Sequence, residues 1–221
     1  MSDNPDLVTL SDPLSPISEA YRTLRMNLQF AALDSPLRSL LITSATPGEG
    51  KSTTLANLAV TMAQVDQRVI MVDCDLRRPC LHTFFGLPNN VGLTNMMLED
   101  QALDDPPLQS TRVPGLHLLA SGNLPPRPPD LLGSERLERV IERLLAEADI
   151  LIFDAPPVIA VPDAVVLSTK VDGVVLVLNA GETKREHAQH AVERLNRVNV
   201  RIVGAVLNNV PLDATLHRYY R

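Results

Sequence analysis

The stretch that most constrains this chain is residues 39–54, where an apolar run is followed by a glycine-rich turn and then by a helical pattern. This order is typical of a strand, a phosphate-binding loop and a helix. The backbone N–H groups of such a loop surround phosphate oxygens, and the positive end of the helix points at the same anion. The residues that we expect to contact the nucleotide here are Thr46, Pro47, Gly48, Glu49, Gly50, Lys51, Ser52 and Thr53.

The end of this loop carries the groups that would bind a nucleoside triphosphate and its metal. Lys51 is placed to lie along the outer phosphates, and the Ser52 hydroxyl is placed to ligate Mg²⁺. Ala45 stands where the first glycine of the motif G-x-x-x-x-G-K-[ST] is expected, so the loop is a deviant Walker motif. The alternative is an ordinary strand-to-helix turn with two glycines, and the acidic strand ends described below make that alternative much weaker.

Length, charge and cysteine content exclude several classes of protein. With 221 residues and 45% hydrophobic content, the chain fits one α/β domain. A net charge of −6 argues against a nucleic-acid-binding surface, which needs clustered Lys and Arg. The two cysteines, Cys74 and Cys80, indicate neither a disulfide framework nor a zinc site.

The polar N-terminus does not resemble a signal peptide, and the apolar window 150–167 is interrupted by aspartates and prolines, so we expect a cytoplasmic protein.

Apolar strands alternate with amphipathic helices along the chain. The predicted strands are 38–44, 68–73, 116–120, 149–153, 173–178 and 202–207, and the predicted helices are 16–33, 52–65, 130–148 and 183–197. Such βαβ units give a doubly wound, mostly parallel sheet flanked by helices on both faces. We expect a flexible N-terminal segment at 1–14, a P-loop domain at 15–212 and a C-terminal tail at 213–221.

Acidic residues end two of the predicted strands. Asp73 and Asp75 follow the second strand, and Asp154 closes an apolar run in the manner of a Walker B motif. Because ligands bind outside the carboxyl edge of a parallel sheet, these carboxylates would face the phosphate loop. With Ser52 they form the predicted metal site, and one of them could accept a proton from a hydroxyl nucleophile. An ordinary polar turn is the alternative for Asp73 and Asp75.

The first predicted helix carries Glu19, Arg22 and Arg25 at a spacing of three residues. On spacing alone, a solvated face with internal ion pairs is the favoured interpretation.

Together these motifs resemble the bacterial tyrosine kinases of capsule and exopolysaccharide biosynthesis, over about residues 15–212. The resemblance rests on the deviant phosphate loop, on Asp73-x-Asp75-x-Arg77 and on Asp154-x-x-Pro157. It extends to the stripe Glu19-x-x-Arg22-x-x-Arg25, which is the family's subunit-interface motif, to the loop Leu124-Pro125-Pro126 and to a tail with Tyr219 and Tyr220. Arg127 departs from the family, which commonly has asparagine there, and the family's tyrosine cluster is longer.

The resemblance implies an ATP- and Mg²⁺-dependent protein-tyrosine kinase that forms homo-oligomeric rings and phosphorylates its neighbours' tails. It implies a role in polysaccharide synthesis and export, at the inner face of the cell membrane, through the cytoplasmic tail of a membrane co-polymerase. Lys51 would stabilise the phosphates, Asp73 would be the base, and Asp75 and Asp154 would organise the metal. Asn208 would read adenine, and Tyr219 and Tyr220 would be phosphoacceptors.

Two other classes remain open at this point. One is a partition or septum-positioning ATPase of the MinD/ParA type, whose loop begins with a signature lysine that Thr46 replaces here. The other is a structural regulator that binds nucleotide without transferring phosphate.

Overall fold

The architecture is a seven-stranded sheet between two layers of helices, and the computed structural model describes residues 5–33 and 35–211. The strands are β1 (Ser39–Ser44), β2 (Val69–Asp73), β3 (Gln109–Ser110), β4 (Leu116–Leu119), β5 (Ile150–Asp154), β6 (Gly173–Asn179) and β7 (Ile202–Asn208). They follow the order β3-β4-β2-β5-β1-β6-β7, and every neighbouring pair is parallel except β3 with β4. The predicted doubly wound, mostly parallel sheet is confirmed.

Helices cover both faces of this sheet. They are α1 (Val8–Ser11), α2 (Pro16–Ala31), α3 (Lys51–Ala63), α4 (Leu81–Phe85), α5 (Leu93–Leu98), α6 (Asp100–Asp104), α7 (Pro128–Leu132), α8 (Glu135–Leu145), α9 (Asp163–Ser168) and α10 (Arg185–Asn196). Helices α1 to α4 enclose one apolar core and α5 to α10 enclose the other. None of the helices within the described ranges is long and apolar enough to cross a membrane.

The sequence explains why these elements form where they do. Every residue of β1, β2 and β5 is buried, as expected of central parallel strands covered on both faces. Helix α2 begins after Ser15, whose hydroxyl accepts a hydrogen bond from the Ser18 N–H at 3.2 Å, and Pro16 occupies its first turn. Local capping therefore sets the start of α2.

Two predicted elements differ from the structure. The helix predicted over 130–148 is two helices, α7 and α8, because Ser134 has an extended backbone (φ −74°, ψ 155°) between them. Helix α7 begins at Pro128, within the proline-rich run 125–129, since proline fits the first turn of a helix. After the predicted strand, the apolar window 150–167 also holds most of α9.

The N-terminal segment was predicted to be flexible, and this is wrong for residues 5–14. They contain α1, and the Leu7 side chain is completely buried. The Thr9 N–H and hydroxyl both donate to Asn57 Oδ1 on α3, at 3.1 and 2.9 Å. Burial of Leu7 and these buried hydrogen bonds fix the segment against α3. The predicted tail at 213–221 lies outside the described residues.

Candidate active site

The strand order brings the predicted site together at one edge of the sheet. Strands β2, β5 and β1 are consecutive neighbours, so the loop after β1 lies beside the ends of β5 and β2. Asp73 and Asp154 are direct partners in the parallel register of β2 and β5. The phosphate loop and the acidic strand ends therefore share one edge, as the sequence predicted.

The glycines of the phosphate loop are required by its backbone. Gly48 and Gly50 have φ values of +84° and +83°, in the left-handed region that favours glycine. A Cβ atom at Gly50 would also lie 2.2 Å from Asn208 Nδ2. Helix α3 starts at Lys51, directly after Gly50, so its free N–H groups face the loop.

The Glu49 side chain stabilises the phosphate loop through hydrogen bonds. It is buried, and its carboxylate accepts hydrogen bonds from the Thr46 N–H at 2.9 Å and from the Thr46 hydroxyl at 2.8 Å. The Thr183 hydroxyl, from the segment between β6 and α10, donates to the same carboxylate. Glu49 and Thr46 were predicted to contact the nucleotide, whereas their side chains bind each other. The sequence did not reveal Thr183 because it lies 134 residues from Glu49.

Lys51 is the cation at the centre of the site. Its Nζ lies 3.0 Å from Asp75 Oδ2 and 3.2 Å from each carboxylate oxygen of Asp154. Burial acts to lower the pKa of Lys51, but the charges of Asp154 and Asp75 outweigh it and raise the pKa. The ammonium group therefore remains charged, which the predicted role in neutralising phosphate requires.

Asp73 is buried and tied to the segment that follows β2. Its Oδ2 accepts from the N–H groups of Cys80 and Leu81, both at 3.0 Å, and its Oδ1 accepts from the Asp75 N–H at 3.2 Å. Burial, together with the charge of Asp154, raises the pKa of Asp73 to about 7. A carboxylate with a pKa near neutrality is suited to accept a proton at physiological pH.

Asp154 and Ser52 form the other half of the acidic site. The Ser52 hydroxyl donates to Asp154 Oδ2 at 2.5 Å, and burial raises the pKa of Asp154.

Across residues 5–33 and 35–211, no three His, Cys, Asp or Glu side chains form a cluster able to hold a metal on their own. Mg²⁺ is usually bound through one or two carboxylates together with phosphate and water. The oxygens of Ser52, Asp154 and Asp75 fit that kind of ligand set, whereas the Asp73 oxygens already accept three backbone N–H groups.

Asn208, the last residue of β7, lies against the phosphate loop. Its Nδ2 donates to the Glu49 carbonyl at 3.2 Å. A cleft of about 1270 Å³ opens beside it, between α2 and β7, and Gly50, Thr53 and Asn57 are among the residues that line it. The cleft is large enough for a nucleoside.

The stripe on α2 lies outside the carboxylate cluster and makes contacts within its own chain. Glu19 and Arg22 form an ion pair along the helix, and Arg22 Nη2 donates to the Pro13 carbonyl at 2.5 Å. Arg25 Nη1 donates to the Thr61 carbonyl on α3 at 3.3 Å. Tyr219 and Tyr220 lie outside the described residues, so their placement stays a prediction.

The sequence also did not reveal an ion pair next to the site, between the exposed Arg77 and the buried Asp163. Arg77 Nε and Nη2 donate to Asp163 Oδ1 and Oδ2 at 3.0 and 3.1 Å. The motif Asp73-x-Asp75-x-Arg77 indicates Arg77, but nothing in its own neighbourhood indicates a partner 86 positions away.

Comparisons with known proteins agree with this geometry. The family model described as "ParA: NUBPL iron-transfer P-loop NTPase" matches residues 37–214. The chain is 42% identical to the tyrosine-protein kinase YwqD of Bacillus subtilis, over 94% of this chain and 87% of that relative. The solved kinase domain of the Escherichia coli tyrosine kinase ETK matches with a TM-score of 0.89 and 32% identity, over 97% of this chain and 84% of the other. The solved chimerical protein CapA2B2 matches with a TM-score of 0.88 and 38% identity, over 93% and 90%.

Proposed function

The chain belongs to the bacterial tyrosine kinases within the P-loop NTPases, and from that membership we propose that it transfers the γ-phosphate of ATP to protein tyrosines. The observation that carries the proposal is the contact of Lys51 with both Asp75 and Asp154, beside Ser52 and the N-terminus of α3. Phosphoryl transfer depends mainly on positioning and on neutralising charge, and this cluster provides groups for both.

Each group of the cluster has a distinct role in this proposal. Lys51 and the first N–H groups of α3 neutralise the phosphates. Ser52, Asp154 and Asp75 would hold Mg²⁺, which would supply positive charge at the outer phosphates. Asp73 accepts the proton of the tyrosine hydroxyl, in keeping with its raised pKa. Asn208, which lines the cleft, would contact the adenine.

Family membership further supports an assembly and a setting for this activity. The kinase forms a homo-oligomeric ring through Glu19, Arg22 and Arg25 and phosphorylates Tyr219 and Tyr220 of neighbouring subunits. It regulates the synthesis and export of capsular or extracellular polysaccharide. It does so from the cytoplasm, held at the inner face of the membrane by the cytoplasmic tail of a co-polymerase.

A partition-type ATPase switch is the second candidate, because the matching family model carries the ParA name. Such a switch donates a loop lysine across a dimer interface. Here Thr46 occupies that position, and its hydroxyl is bound to Glu49. The loop therefore offers no ammonium group to a partner at this position, which favours the kinase.

Incubation of the purified protein with ATP and Mg²⁺ separates these functions. The kinase predicts both ADP release and phosphotyrosine, measured by mass spectrometry, and EDTA should abolish both. ADP release without phosphotyrosine would indicate a switch. Nucleotide binding without turnover would indicate a structural regulator.

A further inference from the structure

We propose that Arg77 and Asp163 form a clamp that positions the β2 loop, residues 74–80, over the reacting phosphates. The kinetic part of this inference rests on the proposed kinase function. The guanidinium group binds both oxygens of the carboxylate, at 3.0 and 3.1 Å, in the bidentate geometry of strong charge-assisted pairs. Asp163 is completely buried, whereas the Arg77 side chain is 39% exposed.

The clamp joins two segments that follow neighbouring strands. Arg77 lies in the β2 loop, two residues after Asp75. Asp163 is the first residue of α9, at the end of the segment that follows β5. Strands β2 and β5 are paired and end in Asp73 and Asp154. The pair therefore ties together the two segments that flank the acidic site.

The positions of the reacting groups depend on the β2 loop. Asp75 contacts Lys51 through Oδ2 and accepts the Arg78 N–H at 3.0 Å through Oδ1. Further along, the N–H groups of Cys80 and Leu81 bind Asp73. A shift of this loop would move Asp75 and, through it, Lys51. A misplacement of about 1 Å can reduce the rate of a catalysed reaction about 100-fold.

A second Arg–Asp ion pair, at the opposite ends of the same two strands, provides a matched control. Arg68 precedes β2 and Asp149 precedes β5, and Arg68 Nη2 lies 2.6 Å from Asp149 Oδ1. Both side chains are largely exposed, at 60% and 44%. Strands of this length separate the control pair from the site by about 16 Å. Loss of this pair removes an Arg–Asp contact between the same strands without reaching the β2 loop.

Hydrogen exchange of the nucleotide-free protein tests the clamp without any need for activity. In Arg77→Gln, the amides of Asp75, Arg78, Cys80 and Leu81 should exchange at least about tenfold faster than in the wild type, because the loop opens locally. In Arg68→Gln, exchange of the same amides should not change. Equal exchange in this loop for the wild type and Arg77→Gln would overturn the clamp.

Steady-state kinetics then distinguish a role of the ion pair in positioning the β2 loop from a role in stabilising the fold. Arg77→Gln should lower kcat about 10- to 100-fold while KM for ATP changes less than about threefold. Arg77→Lys should recover only part of the rate, because lysine lacks the planar fork. The double variant Arg77→Met with Asp163→Leu leaves no unpaired buried charge. Its Tm should therefore return from the lowered value of Arg77→Gln toward that of the wild type, while kcat stays low.

The two possible failures are distinguishable. Recovery of kcat together with Tm in the double variant would show that the pair supports only the fold, and would overturn its positioning role. A wild-type protein that forms no phosphotyrosine would refute the kinase function, while hydrogen exchange would still decide whether the clamp exists.

Discussion

Asp73 and Asp154 stand side by side, as register partners at the ends of two neighbouring parallel strands. Neighbouring strands lie about 4.8 Å apart, so two completely buried carboxyl groups begin from adjacent backbone positions. Burial raises the pKa of both groups, and the charge of Asp154 raises that of Asp73 further. Lys51 partly offsets this repulsion. The site is therefore sensitive to any change in its charge.

The first prediction concerns Lys51→Met. Removal of the ammonium should lower kcat at least about 100-fold, because the charge that develops on the phosphates loses its counterion. It also leaves Asp75 and Asp154 without their cation, so the free energy of unfolding of the nucleotide-free protein should fall by about 3 kcal/mol. Kinetics and thermal unfolding measure the two effects, and the circular dichroism spectrum should not change.

Lys170→Met is the matched control, since Lys170 pairs with the half-exposed Glu138 on the surface. It should keep full activity. Full activity of Lys51→Met would contradict the assignment of the site.

The second prediction separates Asp73 from Asp154. Because Asp73 is protonated below its pKa of about 7, it cannot accept a proton there, and kcat/KM should fall as the pH drops through that value. Asp73→Asn should suppress tyrosine transfer and abolish this pH dependence while nucleotide binding changes little. Asp154→Asn should instead raise the Mg²⁺ concentration required for half-maximal activity about tenfold, since the proposed metal site would lose a charged ligand.

Asp130→Asn, at an exposed position, is the control for both variants. Identical Mg²⁺ titrations of Asp73→Asn and Asp154→Asn would contradict the separate roles.

The third prediction concerns the stripe on α2. Alanine at Glu19, Arg22 and Arg25 should convert the proposed ring to monomers in light scattering, and should lower tail phosphorylation while nucleotide affinity is retained. Arg25 also contacts the Thr61 carbonyl, so its loss should lower Tm slightly.

The triple alanine variant at the exposed positions Glu135, Arg139 and Glu142 of α8 provides the control. It should leave both assembly and Tm unchanged. A wild-type protein that is monomeric at high concentration would eliminate the interface.

The fourth prediction concerns the acceptor tyrosines. The chain has three tyrosines, and Tyr21 lies partly buried on α2. Peptide mass spectrometry after incubation with ATP should find phosphate on Tyr219 or Tyr220, and phenylalanine at both should remove most phosphotyrosine. Because the proposed transfer runs between subunits, the specific rate should rise with protein concentration.

Tyr21→Phe is the control and should retain the phosphotyrosine signal. Undiminished phosphotyrosine after loss of both tail tyrosines would exclude the tail as the main acceptor.

Much of the fold and of the site could be predicted because their signals are local. The apolar run before Gly48 and Gly50 predicts β1 and the loop, and the aspartates that end β2 and β5 are visible as breaks in apolar runs. Parallel strands share a carboxyl edge in any order, so these residues could be assigned to one site without a structure. The resemblance to the kinase family then suggested a specific role for each of these residues, whose side-chain chemistry already indicated a nucleotide site.

By itself, then, the sequence determined the alternation of strands and helices, the phosphate loop and the acidic strand ends, because each depends on neighbouring residues. Only the tertiary structure decided the partners: Lys51 with Asp75 and Asp154, Glu49 with Thr183, Arg77 with Asp163, and Thr9 with Asn57. Apart from Lys51 and Asp75, these pairs join residues that lie 48 to 134 positions apart. The strand order and the packing of side chains between layers decide which of these residues come into contact. Neither can be predicted from the pattern of neighbouring residues in the sequence.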